Sequence, residues 1–276
     1  TYHAPEVGLE PTWNEPTRLP SGYTTTVAFL PSLWIAILSM SSSLANARND
    51  LTAAFFELVG MTFFLLLGLG GVQAATSEKM SNDTSGLEME QVLYISTCMG
   101  ISLLVTAWVF FRITGSLFNP CITVALAVLG ILSPVRCLLY CIAQFLGSIL
   151  ASAILLGLTR NLSVKPLMSS TSLRQGTAPT QGIFIEMFIT SALVIAVLML
   201  AAEKHQATAF APVSDHLDMK KLTLAKVFYT GASMNTARSF GPAVVTGFST
   251  PHHWVYWVGP FLGALLGSAF YAISKQ

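Results

Sequence analysis

Five polar side chains stand where apolar runs surround them. Glu57 and Glu186 lie in "FFELVGMTFFLLL" (55–67) and "FIEMFITSALVIAVLML" (184–200). Asn119 and Asn235 open "NPCITVALAV" and "NTARSFGPAVV", and Arg238 follows the second asparagine by three positions. No convergent nucleophile, base or metal-ligand set accompanies them, so the pattern points to neither an enzyme nor a metal site, and no cofactor is implied. What these groups offer is hydrogen bonding, with amide and guanidinium donors and carboxylate acceptors. For a lone asparagine, helix capping is the ordinary role; two in matching settings ask for more.

Composition identifies the solvent around them. The 276 residues are 53% hydrophobic and 10% charged, against about 25% charged in an ordinary soluble domain. The chain is therefore expected to be an all-α integral membrane protein. Its net charge of +1, with no basic patch, leaves nucleic-acid binding without an electrostatic footing. Cys98, Cys121, Cys137 and Cys141 lie in or beside apolar runs without paired metal spacing, which reads as packed free thiols. The glycines of "GLGGV" (68–72) follow no strand. They suit close helix packing better than phosphate binding.

A spanning helix needs about 20 mostly apolar residues, and residues 52–75, 92–111, 135–158, 182–202 and 254–273 meet that requirement. A sixth span is expected between 208 and 229, although it carries Asp215, Asp218, Lys220, Lys221 and Lys226. Each charge at mid-membrane would cost about 2.5–3.5 kcal/mol. The first turns, 211–221, are accordingly expected at the inner interface. Two half-length segments, 119–131 and 235–247, begin with an N-capping Asn, and Pro120 takes the favoured first helical position. Each follows a small-residue turn, "TGSLFNP" or "TGASMNT". Such irregular backbone is tolerated at membrane depth only where protein buries it or it lines a watery cavity.

The chain also repeats itself. Glu57 and Glu186 occupy corresponding places in two halves, about 52–158 and 182–273, and each half later shows a Thr-Gly turn ending in Asn. With three spans per half, the repeats must enter the membrane in opposite orientations, with the site where the broken helices meet. The expected organisation is a 1–50 tail followed by a membrane domain over 51–276.

These residues resemble the aquaporins, or major intrinsic proteins. "SLFNPCITVALAV" and "NTARSFGPAVV" are similar to the family's two Asn-Pro-Ala boxes, "FFELVG" and "FIEMF" to its buried-glutamate segments, and "IAQFLGS" and "HHWVYWVGPFLGALL" to its third and sixth spans. "FFRITGSLFNP" and "EKHQATAFAPV" are closest to the fungal members. The resemblance implies six spans, two re-entrant half-helices and a passive water channel, extending to small neutral solutes such as glycerol or hydrogen peroxide. It implies a homotetramer in a lipid bilayer with one pore per subunit. The pore midplane would comprise Asn119, Pro120, Cys121, Asn235, Thr236 and Ala237. The selectivity constriction would comprise Met99, Thr223, Ala232 and Arg238, with Glu57 and Glu186 as structural carboxylates.

The chain departs from the family pattern at informative places. The boxes read Asn-Pro-Cys and Asn-Thr-Ala, and Thr236 lacks the fixed φ of a proline. Met99 and Thr223 stand where water-selective members usually carry an aromatic residue and a histidine, which suits a wider opening. Ser239, Ala243, Tyr256 and Trp257 nevertheless resemble the water-type choices. An alternative keeps the fold without conduction, as a closed channel-like protein with a structural or regulatory role. With both termini inside, the sequons at Asn82 and Asn161 fall outside, where glycosylation reaches them. Arg18, Arg48, Arg112, Arg136, Lys204 and Lys275 then fall inside, the expected sign of the charge bias. A plasma-membrane location is the corresponding expectation. The run 27–38 is too short to span and is expected to lie on the membrane or cap the inner mouth. His205 and His216 are read as solvated or hydrogen-bonded.

Overall fold

Apolar sequence at this density has one economical solution for its backbone, the helix, which satisfies its own N–H and C=O groups. The computed structural model describes residues 47–81, 89–159, 170–202 and 229–276. Among these residues every regular element is helical: α1 (Ala47–Ser81), α2 (Met89–Thr114), α3 (Pro120–Val128), α4 (Pro134–Thr159), α5 (Pro179–Val197), α6 (Thr236–Thr246) and α7 (Val255–Ser274). A π-helical turn, Leu198–Ala202, continues α5. Five stretches are long and apolar enough to cross a bilayer: Ala47–Thr76, Glu90–Thr114, Pro134–Thr159, Pro179–Leu200 and Val255–Ser274. They coincide with the five spans read from sequence to within a few residues at each end. Residues 47–50 of the expected tail are already helical. The rest of that tail, the charged span 208–229 except its last residue, with Thr223, the sequons at Asn82 and Asn161, and His205 and His216 lie outside the described residues.

The two short helices, α3 and α6, stop for local reasons. Gly130 just beyond α3 and Gly247 at the end of α6 both take φ of 73°, the left-handed conformation that closes helices and that glycine adopts without a Cβ clash. Each short helix therefore ends about half-way along the length of a span.

Packing exchanges the halves. In the first half α1 lies along α2 and α4, and in the second α5 lies along α7. The half-helix of one repeat is carried by the other, with α6 against α4 and α3 against α7. Small residues permit these approaches. Gly259, Gly263 and Gly267 form a small-residue stripe on α7, and a Cβ at Gly267 would stand 2.9 Å from the Ser191 carbonyl of α5. A Cβ at Gly147 on α4 would stand 2.7 Å from the Leu58 carbonyl of α1. A Cβ at Gly241 on α6 would fall into the Ser148 hydroxyl and carbonyl. Asp50, 3% exposed, adds an ion pair to Arg136 at 2.6 Å, fastening the first turn of α1 to that of α4. The outward surface carries Phe55, Leu67, Trp108, Leu138, Leu146 and Phe270, an apolar face suited to lipid.

Gly263→Ala places a methyl group against the Met187 backbone, so it should lower the apparent melting temperature in detergent by several degrees, as overpacking of roughly 1–3 kcal/mol requires. Gly157→Ala meets nothing within 4 Å and should leave that temperature unchanged or slightly raised, which a paired thermal-shift assay reads directly.

Candidate functional site

Everything polar that the sequence singled out in its two boxes converges where α3 and α6 meet. Each asparagine does two jobs. Asn119 caps α3 through its Oδ1, which accepts the Cys121 N–H at 2.9 Å, and Asn235 caps α6 by accepting the Arg238 N–H at 3.1 Å. Their amide nitrogens then cross over. Asn119 Nδ2 donates to the Met234 carbonyl at 2.8 Å, and Asn235 Nδ2 donates to the Phe118 carbonyl at 2.7 Å. The half-helices are thereby joined N-terminus to N-terminus by reciprocal bonds, with both asparagines under 5% exposed. A side-chain amide carries two N–H donors, so one on each remains beyond the crossing bond.

The loops leading into the half-helices share an unusual backbone. Gly115, Ser116 and Phe118 have φ of 83°, 52° and 43°, and Gly231, Ala232 and Met234 repeat this with 78°, 46° and 51°. Non-glycine residues in this region cost about 1–3 kcal/mol each, and they persist only where the surroundings hold them. Here the surroundings are side chains from the long helices. Glu186 accepts the Ser233 N–H at 3.0 Å and the Met234 N–H at 2.9 Å, one on each carboxylate oxygen. Glu57 accepts the Phe118 N–H at 2.6 Å and the Gln144 amide at 2.9 Å. Tyr140 donates its hydroxyl to the Thr114 carbonyl at 3.0 Å, and Tyr256 does the same to Thr230 at 2.8 Å, each across 26 residues.

Beside the junction lies a cavity of about 20 Å³, lined by Phe64, Ile95 and Met99 from α1 and α2 and by Gly231 to Asn235 and Arg238 opposite. About 10–15 Å³ accommodates one water, so the cavity has room for about one water. One wall is apolar and the other polar. Arg238 is 5% exposed, and among the described residues its Nε and Nη1 have no hydrogen-bond partner. A buried guanidinium with free donors beside a water-sized space is a ready hydrogen-bond source for whatever enters. Glu186 and Tyr256 lie near enough to it to interact electrostatically.

Met99, Ala232 and Arg238 thus come together, while Thr223 lies outside the described residues. Asn235 also reaches the cavity. Cys121, Thr236 and Ala237 are 0% exposed, sealed within the junction. The Ser239 hydroxyl bonds to Thr171 at 2.8 Å and to Ser233 at 2.5 Å, so it braces the loop and is absent from the cavity lining. Sequence reasoning missed Tyr140, Gln144, Ser148 and Thr171. The tyrosines carried a signal, since they sit equally far beyond the two Thr-Gly turns. Beyond the C-terminal end of α6, His253 packs against Phe248 and Tyr256 with ring centroids 5.2 and 6.0 Å away, and burial holds its imidazole below the ordinary value.

Comparison with known proteins agrees with this geometry. The family model described as major intrinsic protein matches residues 43–271. Aquaporin-1 of Laccaria bicolor is 56% identical over 238 residues, covering 86% of this chain and 75% of that protein. Aquaporin-7 of Botryotinia fuckeliana is 46% identical, covering 84% of this chain and 51% of that protein. Among solved structures, the X-ray structure of the aquaglyceroporin from Plasmodium falciparum matches with a TM-score of 0.66 at 17% identity, covering 79% of this chain and 95% of that one.

Glu186→Gln keeps the shape but replaces one carboxylate oxygen by a donor, leaving one of two buried loop N–H groups unsatisfied at a cost of about 1–3 kcal/mol. The variant should melt several degrees lower and lose water permeability in proteoliposomes. Wild-type permeability in a normally inserted variant would show that the carboxylate does not hold the loop.

Proposed function

Since the chain belongs to the major intrinsic protein family, we propose that the junction of α3 and α6 is the midplane of its pore, and that Met99, Thr223, Ala232 and Arg238 form the narrowest point. The protein is a passive, multi-pass membrane channel for water and small solutes. The reciprocal asparagine crossing supports the midplane assignment, because it aims two helix N-termini at one place. Each N-terminus carries about half a positive charge, which opposes cations, and the remaining amide donors orient a passing water so that its neighbours cannot relay a proton past it. Arg238 repeats the electrostatic barrier at the constriction.

Size supports water as the principal permeant. A cavity with room for about one water, with the free donors of Arg238 on its wall, replaces the hydrogen bonds a water loses on leaving bulk. Met99 is unbranched and flexible, and with Thr223 in place of a larger ring the constriction extends to glycerol or hydrogen peroxide. The assembly we propose is a homotetramer in the plasma membrane, with both termini inside, glycans at Asn82 and Asn161, and no covalent step at the pore.

Stopped-flow light scattering on proteoliposomes tests this reading. The wild-type chain should accelerate osmotic shrinkage several-fold over empty vesicles, and Arg238→Ala should admit cations. Met99→Phe with Thr223→His should reduce glycerol and peroxide flux more than water flux. Equal loss of all three fluxes would place the narrowest point elsewhere.

A further inference from the structure

The two departures from the family's boxes touch each other. α3 begins Pro120-Cys121 and α6 begins Thr236-Ala237, so α6 starts with a residue that keeps an N–H and adds a hydroxyl where α3 starts with a proline that has neither. Thr236 is 0% exposed. Polar groups buried to that degree need partners. Across the junction the Cys121 sulfur stands 3.4 Å from Thr236 Oγ1, within reach of a sulfur hydrogen bond. Cys121 is 0% exposed as well. The alanine of the family pattern would leave the threonine's hydroxyl without this partner, and a proline at 236 would remove the need for it.

We infer that Cys121 and Thr236 are a matched polar pair that positions the two half-helix N-termini, and through them Asn119 and Asn235. The coupling is short on both sides. The Cys121 N–H is the group that Asn119 Oδ1 accepts, and Thr236 directly follows Asn235 in the chain. Neither member lines the cavity, so the pair acts as a positioning device and makes no contact with the permeant. This inference rests on the reading of the asparagine junction as the pore midplane.

The test is a double-mutant cycle on the full chain in proteoliposomes, with water permeability per inserted protein, vesicle proton leak and melting temperature measured on each variant. Cys121→Ala removes the sulfur, and Thr236→Val removes the hydroxyl at nearly constant shape. Each should lower permeability roughly threefold, near the lower end of the couplings between touching residues. Cys121→Ser, which retains a partner for the hydroxyl, should restore it. Cys121→Ala with Thr236→Val should stand nearer wild type than the product of its single variants, and proton leak should rise only where the pair is broken. Singles that multiply independently in the double variant, or an inserted Cys121→Ala protein with wild-type permeability and leak, would overturn the pairing. If Cys121→Ala fails to insert, the contrast between Thr236→Val and Cys121→Ser carries the decision. If the wild-type protein passes no water, the pore reading fails, and the same cycle on melting temperature judges the pair: coupled shifts uphold it and independent shifts overturn it.

Discussion

A backbone amide at membrane depth has no water to bond, and the two loops of this protein place several there outside any helix. That constraint governs the architecture. The left-handed residues Ser116, Phe118, Ala232 and Met234 cannot belong to a ladder, so the loop N–H groups of Phe118, Ser233 and Met234 are taken by Glu57 and Glu186, and the carbonyls at the loop starts by Tyr140 and Tyr256. Two carboxylates in an apolar bundle would otherwise be an expense without a return. Here each converts a strained loop into a fixed one. The rigidity matters because loop and Arg238 form one wall of a cavity only about 20 Å³ in size.

The exchange of half-helices between repeats follows from the same constraint. A half-helix alone would leave a first-turn N–H and the loop carbonyl before it without partners at membrane depth; its own asparagine accepts the N–H, and the asparagine of the other half-helix donates to the carbonyl. Crossing α3 onto α7 and α6 onto α4 brings the two ends together, where each asparagine caps its own helix and bonds the carbonyl before the other. Gly241 lets α6 come close to Ser148 of α4, while the glycine stripe on α7 serves its contact with α5. Fold and pore are then products of one arrangement. A change that loosens a loop should be felt at the junction as well as in stability.

Much of this was legible in the residues. The five described spans follow from runs of apolar residues, the half-helices from Asn at both starts, Pro120 in the first and the small-residue turns before them, and the inverted pairing from matching glutamates. Met99, Ala232 and Arg238 were placed by family spacing, and they do share a cavity. Gln144 was not legible, because its partner, the Glu57 carboxylate, lies far along the chain and no periodicity marks such a bond; the equal spacing of Tyr140 and Tyr256 beyond the Thr-Gly turns marks the tyrosines but not the carbonyls they bond. Ser239 was weighed as a pore-type choice, whereas its hydroxyl is spent on Thr171 and Ser233. The contact between Cys121 and Thr236 needed coordinates, since the two positions are 115 residues apart.

The central claim is that an asparagine junction passes water while breaking the proton wire. Water and proton fluxes measured on the same proteoliposomes, by light scattering and an enclosed pH dye under an imposed pH gradient, test it most directly. Fast osmotic shrinkage with a proton leak no greater than that of empty vesicles is the predicted result. A proton leak that rises in step with water flux as more protein is reconstituted would contradict it.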